Sequence, residues 1–186
     1  MIIIDDFIKD EFLLEEIKND SSFFTRPGQY MWWDGWWNSQ ADTLKKRLIH
    51  YIWGEKSPHE PIGCVGFEYW TGTIGENGVD TKLDLHFDKD EYLWKEENKL
   101  STPIMGTVFY PVPMDIDGGY LEIQSKEGDL TERIQAKYNR LIIFPAGQYP
   151  HRVTEVNRGT RNAIAINLWD IEPKGLFNND YIISEL

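Results

Sequence analysis

The spacing of apolar positions changes about a third of the way along the chain, and the change predicts two kinds of structure. Ile2, Ile3 and Ile4 open as a short strand. Asp10 then stands as an N-cap ahead of Phe12, Leu13 and Ile17, which predicts a helix. A second helix is expected over residues 40–53: Ser39 and Asp42 form an S-x-x-D start signal, Leu44, Leu48 and Ile52 recur every four residues, and Gly54 is expected to stop it. After Pro61 the period shortens. Strands are expected over residues 63–73, 81–87, 103–112, 120–124, 140–144, 152–156 and 161–169. Turn residues separate them, as in Asp117-Gly118-Gly119, Pro145-Ala146-Gly147 and Asn157-Arg158-Gly159.

Short strands following two helices predict a mainly β protein with a jelly-roll or cupin-like core and helices outside one sheet, Ile3, Phe12, Leu44 and Leu48 providing the contact. No regular strand–helix alternation supports a doubly wound parallel sheet. At 186 residues the expectation is one domain, with 1–60 as helical support, 61–170 as β core and 171–186 as a tail. Four tryptophans, Trp32, Trp33, Trp36 and Trp37, interrupt the helical part. They are expected to pack helices onto the sheet, with an aromatic lip at the barrel mouth as the competing role.

Charge restricts the partners. Lys and Arg number 19 against 31 Asp and Glu, a net charge of −12, which disfavours tight binding to nucleic acid. The absence of a ~20-residue apolar run or a signal peptide predicts neither membrane insertion nor export. Cys64 is the single cysteine, so an internal disulfide and a Cys-rich zinc site are excluded and a reducing cytoplasm is expected. Nothing in the pattern sets the oligomeric state.

Four histidines leave a short list of metal ligands. In residues 81–88, Leu83, Leu85 and Phe87 alternate with Asp84, His86 and Asp88, so an imidazole and two carboxylates share one strand face. An isolated H-x-D is usually a solvated strand face. His50 reads as a helical surface residue and His59 as a loop residue between prolines, whereas His151 opens a later strand and could reach the same site in a barrel. Two histidines and a carboxylate with open positions suit non-haem Fe(II). Ten residues after His151, Arg161 shares a strand face with Ala163, Ala165 and Asn167, which leaves room before its fork for a carboxylate.

His86-Phe87-Asp88, Gly118-Gly119-Tyr120-Leu121, Phe144-Pro145, His151-Arg152-Val153 and Gly159-Thr160-Arg161 occur in order over the C-terminal two-thirds of the chain. That series resembles the 2-oxoglutarate- and Fe(II)-dependent dioxygenases, in particular the prolyl-4-hydroxylase-like branch. The resemblance implies a double-stranded β-helix, with iron held by His86, Asp88 and His151 and the distal carboxylate of 2-oxoglutarate held by Arg161. The motif order, not the strand face, selects Asp88 over Asp84. The resemblance also implies a hydroxyl beside Arg161, for which Tyr69 is chosen, with Thr107 and Tyr110 as rivals. Fe(II), 2-oxoglutarate and O₂ are the implied reacting set, with ascorbate as an auxiliary reductant. The implied substrate is peptidyl, with prolyl as its narrower class, and a free amino acid or other small molecule, or a non-catalytic metal-binding barrel, are the alternatives. Tyr92 and Trp94, just past the H-x-D, are expected to touch substrate.

Overall fold

The computed structural model describes residues 1–25 and 27–177. In chain order the elements are β1 (Ile2–Ile4), α1 (Glu11–Asn19), β2 (Met31–Trp33), α2 (Leu44–Ile49), β3 (Gly66–Gly75), β4 (Leu83–His86), α3 (Glu91–Glu97), β5 (Met105–Phe109), β6 (Asp117–Gly118), β7 (Leu121–Gln124), β8 (Leu130–Ile134), β9 (Leu141–Phe144), β10 (His151–Val153), β11 (Val156–Arg158) and β12 (Thr160–Trp169). A six-stranded sheet in the order β1-β9-β5-β12-β3-β2 faces a four-stranded sheet in the order β4-β10-β7-β8, and β6 pairs with β11 in a small ribbon. The strand pairings are antiparallel. This is the double-stranded β-helix, with helices on the outer face of the larger sheet.

The strand most central to the larger sheet shows why the sequence folds this way. β12 runs ten residues between β3 and β5, pairing Ile166 with Tyr69 on one side and with Thr107 on the other. Its even positions, Ile164, Ile166 and Leu168, enter the outer core with the helices. Its odd positions, Arg161, Ala163, Ala165 and Asn167, turn between the sheets. β9 is buried on both faces: Leu141 and Ile143 join the helix-side core, Ile142 and Phe144 the core between the sheets. A strand covered on both sides has no polar face, which accounts for the unbroken Leu-Ile-Ile-Phe run.

The helix side is dense. Leu48, Ile49 and Ile52 are fully buried, and each such side chain contributes roughly 1.5–3 kcal/mol by leaving water. In α1 the buried stripe is Leu13, Leu14 and Ile17, so Phe12 points outward at 90% exposure; Ile3 is also exposed. The expected packing therefore holds for Leu48 and, in part, Leu44, but not for Phe12 or Ile3. Asp10 caps α1 through the amides of Phe12 and Leu13.

The second helix departs from expectation at both ends. Thr43, not Ser39, caps α2 through the Lys46 amide. Ser39 is instead engaged by the Trp33 indole N–H and donates to Asp34. The helix continues as a π-helical stretch over His50–Lys56, passing through Gly54. A Cβ at Gly54 would collide with the His50 ring, so this glycine serves close packing rather than termination. The tryptophan segment begins as β2, an edge strand on β3, and Trp33, Trp36 and Trp37 surround Phe67 at ring-centroid separations of 5.8, 5.6 and 5.8 Å. Trp33 and Trp36 pack helix to sheet, whereas Trp37 stays 43% exposed. Of the expected tail, residues 178–186 lie outside the described residues. Among the described residues no helix is long and apolar enough to cross a membrane.

Candidate metal centre

One open end of the barrel gathers three of the predicted side chains. β4 and β10 pair with His86 directly opposite His151. Asp88 lies just past the end of β4, so strand alternation does not place it; its amide donates to the Ala146 carbonyl at 3.0 Å, in the turn after β9. The candidate ligand atoms of His86, Asp88 and His151 all lie within 4.8 Å of one another. Each histidine Nε2 is 3.6 Å from Asp88 Oδ1. Asp84 is turned to solvent and pairs with Lys82 at 2.8 Å. His59 is exposed, and His50 packs against Trp36 outside the barrel with the rings tilted.

The chemistry of this donor set fits a divalent metal. His86 Nδ1 lies 2.7 Å from the Asp84 carbonyl and His151 Nδ1 lies 3.0 Å from the Tyr149 carbonyl. A carbonyl only accepts, so both rings carry a proton on Nδ1, which leaves Nε2, the nitrogen turned toward Asp88, as the one available to a metal. Burial lowers the pKa of His151, the neighbouring His86 adds to that, and Asp88 opposes it. A buried, neutral imidazole is the form that ligates. His86, Asp88 and His151 would hold the metal.

Arg161 sits in the same cavity and is 4% exposed. Its Nη2 donates to the Tyr110 hydroxyl at 2.9 Å, while its Nε has no hydrogen-bond partner among the described residues. A buried guanidinium with an orphaned donor calls for an anion, because leaving such a group unpaired costs several kcal/mol. The slot between Arg161 and the metal residues is lined by the small residues Ala163, Ala165 and Gly72, with Trp70 paired to Ala165 at its side. Gly119, at φ +65°, lets its backbone pass close behind Arg161, since a Cβ there would stand 3.0 Å from Val156 Cγ2 and 3.3 Å from Arg161 Cδ.

Tyr69 is not at this site. It faces the same side of the sheet as its partner Ile166, in the helix-side core, and its hydroxyl engages Thr43. Thr107 is on that side too, where it accepts from the Trp53 indole. The hydroxyl beside Arg161 is therefore that of Tyr110, just past the end of β5. Tyr92 and Trp94 lie on α3 and are not among the described residues lining the cavity. The aromatic wall is Trp70, which packs against Tyr30 at a ring-centroid separation of 4.6 Å with the planes tilted by 42°. Burial and the carboxylates of Glu68, Asp88 and Glu91 push the Tyr30 hydroxyl well above the usual tyrosine range.

Sequence reasoning missed a polar chain behind Asp88. Asn167 Nδ2 donates to Asp88 Oδ2 at 3.0 Å and to Glu68 Oε2 at 3.3 Å, and the Trp169 indole donates to the same Glu68 oxygen at 3.0 Å. Burial, and then Asp88, push Glu68 up to about 8. The visible signal was Asn167 on the Arg161 face; its partners needed the β3–β12 register.

The family model of the 2OG-Fe(II) oxygenase superfamily, where 2OG is 2-oxoglutarate, matches residues 73–169. A PKHD-type hydroxylase of a Synechococcus is 40% identical over 75 residues, which are 40% of this chain and 32% of that protein. The match thus spans about a third of the length of that relative. A Pseudomonas putida prolyl-4-hydroxylase superposes with a TM-score of 0.56 at 14% identity, covering 92% of each chain. A viral collagen prolyl hydroxylase from Paramecium bursaria Chlorella virus-1, solved as a 2OG complex, gives 0.55 at 13% identity over 92% of this chain and 96% of the other. These two likenesses concern the fold. The family match covers just over half of the chain and takes in His86, Asp88, His151 and Arg161. This chain belongs to the 2OG-Fe(II) oxygenase superfamily, whose reacting set is Fe(II), 2-oxoglutarate and O₂.

Proposed function

We propose that this chain is a hydroxylase that inserts oxygen into a C–H bond of a peptidyl, prolyl-class substrate, with His86, Asp88 and His151 holding Fe(II) and Arg161 anchoring 2-oxoglutarate. One observation carries the reading: a set of two imidazoles and a carboxylate shares its cavity with a buried arginine whose Nε is unpaired among the described residues. A metal held from one face keeps positions free for other ligands. When bound, iron with 2-oxoglutarate and O₂ supplies the oxidising power, and the chain does the rest. Arg161 and Tyr110 orient the distal carboxylate. Phe144, Leu121 and Val153 line the cavity with apolar surface and limit water there. The peptidyl class draws support from the PKHD-type relative and the prolyl-hydroxylase fold neighbours. A net charge of −12 suits a neutral or basic peptide, and the lone Cys64 suits a reducing cytoplasm.

The test is succinate formation by anaerobically Fe(II)-loaded protein, exposed to O₂ with 2-oxoglutarate and a panel of proline-containing peptides and free amino acids. Peptide-dependent succinate with a +16 Da peptide product is expected. Turnover driven by free amino acids alone would contradict the peptidyl assignment, and no turnover with any substrate would contradict hydroxylation.

A further inference from the structure

The polar chain behind Asp88 has an arrangement that simple burial does not require. Asp88 presents Oδ1 toward both histidine Nε2 atoms and gives Oδ2 to Asn167. The primary amide of Asn167 has two N–H groups, and two acidic side chains, those of Asp88 and Glu68, take them. Both contacts use the amide nitrogen, so the nitrogen and not the oxygen faces Asp88 Oδ2. On the neighbouring strand Gly106 pairs with Asn167, and a Cβ there would stand 3.2 Å from Asn167 Oδ1 and collide with Ala146. Trp169 in turn fixes the Glu68 oxygen that Asn167 uses. The three residues sit on two paired strands, with Glu68 directly opposite Asn167 and Trp169 two places further along β12. Such a device is built on rigid elements rather than on a loop, whereas Asp88 itself lies beyond the end of its strand.

We infer that Asn167, held in place by Glu68 and Trp169, is a positioning residue that occupies Asp88 Oδ2 and so makes Asp88 a one-oxygen metal ligand. This rests on the metal reading of His86, Asp88 and His151. Its consequence is that the metal keeps the positions a two-oxygen carboxylate would crowd. Groups one step behind a ligand commonly change metal affinity by about 10–100-fold. The effect should fade along the chain, from Asn167 to Glu68 to Trp169.

The test is titration of the purified full chain, as apoprotein, with Mn(II), reading free metal by its EPR signal, and with Co(II), reading visible absorption. Parent protein, Asn167→Leu, Glu68→Ala, Trp169→Phe and His86→Ala are compared, each after a melting curve confirms folding. The expected result is an Mn(II) affinity loss of about 10–100-fold in Asn167→Leu, less in Glu68→Ala and least in Trp169→Phe, with an altered Co(II) spectrum in Asn167→Leu. A merely structural role would move the melting curve without changing the Co(II) spectrum. Should Asn167→Leu fail to fold, Glu68→Ala and Trp169→Phe carry the same test, since both act through the Asn167 amide. Parent-like affinity and Co(II) spectra in the folded variants, with metal bound by the parent and lost in His86→Ala, would overturn the positioning role alone. A parent protein that binds neither metal would overturn the metal reading and this inference with it.

Discussion

The two faces of the larger sheet are built from the same strands and do opposite things. On the helix side, β12 and β3 present Ile164, Ile166, Leu168, Phe67 and Tyr69, all within a close-packed core with Trp33, Ile52 and Trp53. On the barrel side the same strands present Arg161, Ala163, Ala165, Asn167, Glu68, Trp70 and Gly72, a mixture of small and polar groups around a cavity. Alternation at one residue per face lets a single ten-residue strand do both. The difference teaches how the fold tolerates an expensive site. Burying an unpaired arginine and closely spaced carboxylates is costly, and the apolar packing on the opposite face of the same backbone offsets that cost.

This comparison can be broken from either side. The largest effect is expected on the barrel side: His86→Ala should abolish divalent-metal binding and leave the melting temperature of apoprotein within a few degrees of the parent. Isothermal titration with Mn(II) checks the first part and a thermal scan the second. A large fall in melting temperature would mean that the site is part of the structural core.

Next comes the helix side. Ile166→Ala removes a fully buried side chain and should cost about 2–5 kcal/mol of unfolding free energy in a urea titration. Metal affinity of the folded fraction should not change. Third, Ala163→Leu adds bulk to the slot without removing any polar group. It should weaken 2-oxoglutarate binding by ~10-fold or more while metal binding persists, with overpacking costing about 1–3 kcal/mol in the same urea assay. Smallest is Tyr110→Phe, which removes the hydroxyl beside Arg161. The hydroxyl only orients Arg161, whose charge stays in place, so a loss of about 1 kcal/mol and a roughly fivefold drop in 2-oxoglutarate affinity are expected.

The parts of the molecule that were legible in advance are those that local pattern determines. The Ile2–Ile4 strand, the Asp10 cap and the alternation of β12 follow from neighbours in sequence. The spacing of His86, Asp88, His151 and Arg161 was legible as a motif series, and the structure brings all four into one cavity. What was not legible depended on register between distant strands. Tyr69 and Tyr110 were both aromatic hydroxyls on expected strands, and only the pairing of Tyr69 with Ile166 shows that Tyr69 faces the helices. Thr43 displaced Ser39 as a cap because a tryptophan indole and Asp34 claimed Ser39. The short strand β8 (Leu130–Ile134) was not anticipated, since Leu130, Thr131, Glu132 and Arg133 are exposed at the edge of the smaller sheet and leave no apolar alternation to read.

The central claim is that the barrel-side cavity holds a metal at one end and a dicarboxylate at the other. The most direct measurement is an anaerobic titration of Fe(II)-loaded protein with 2-oxoglutarate, reading the visible charge-transfer absorption, in the parent and in Arg161→Ala. The account predicts saturable absorption in the parent and a midpoint raised by ~10²-fold in Arg161→Ala, the scale of losing a charge-assisted contact of about 3 kcal/mol. Arg161→Lys should recover part of the loss, because a point charge replaces the fork imperfectly. An unchanged midpoint in Arg161→Ala would contradict the claim and place the anchor elsewhere, with Arg152 the next residue to test.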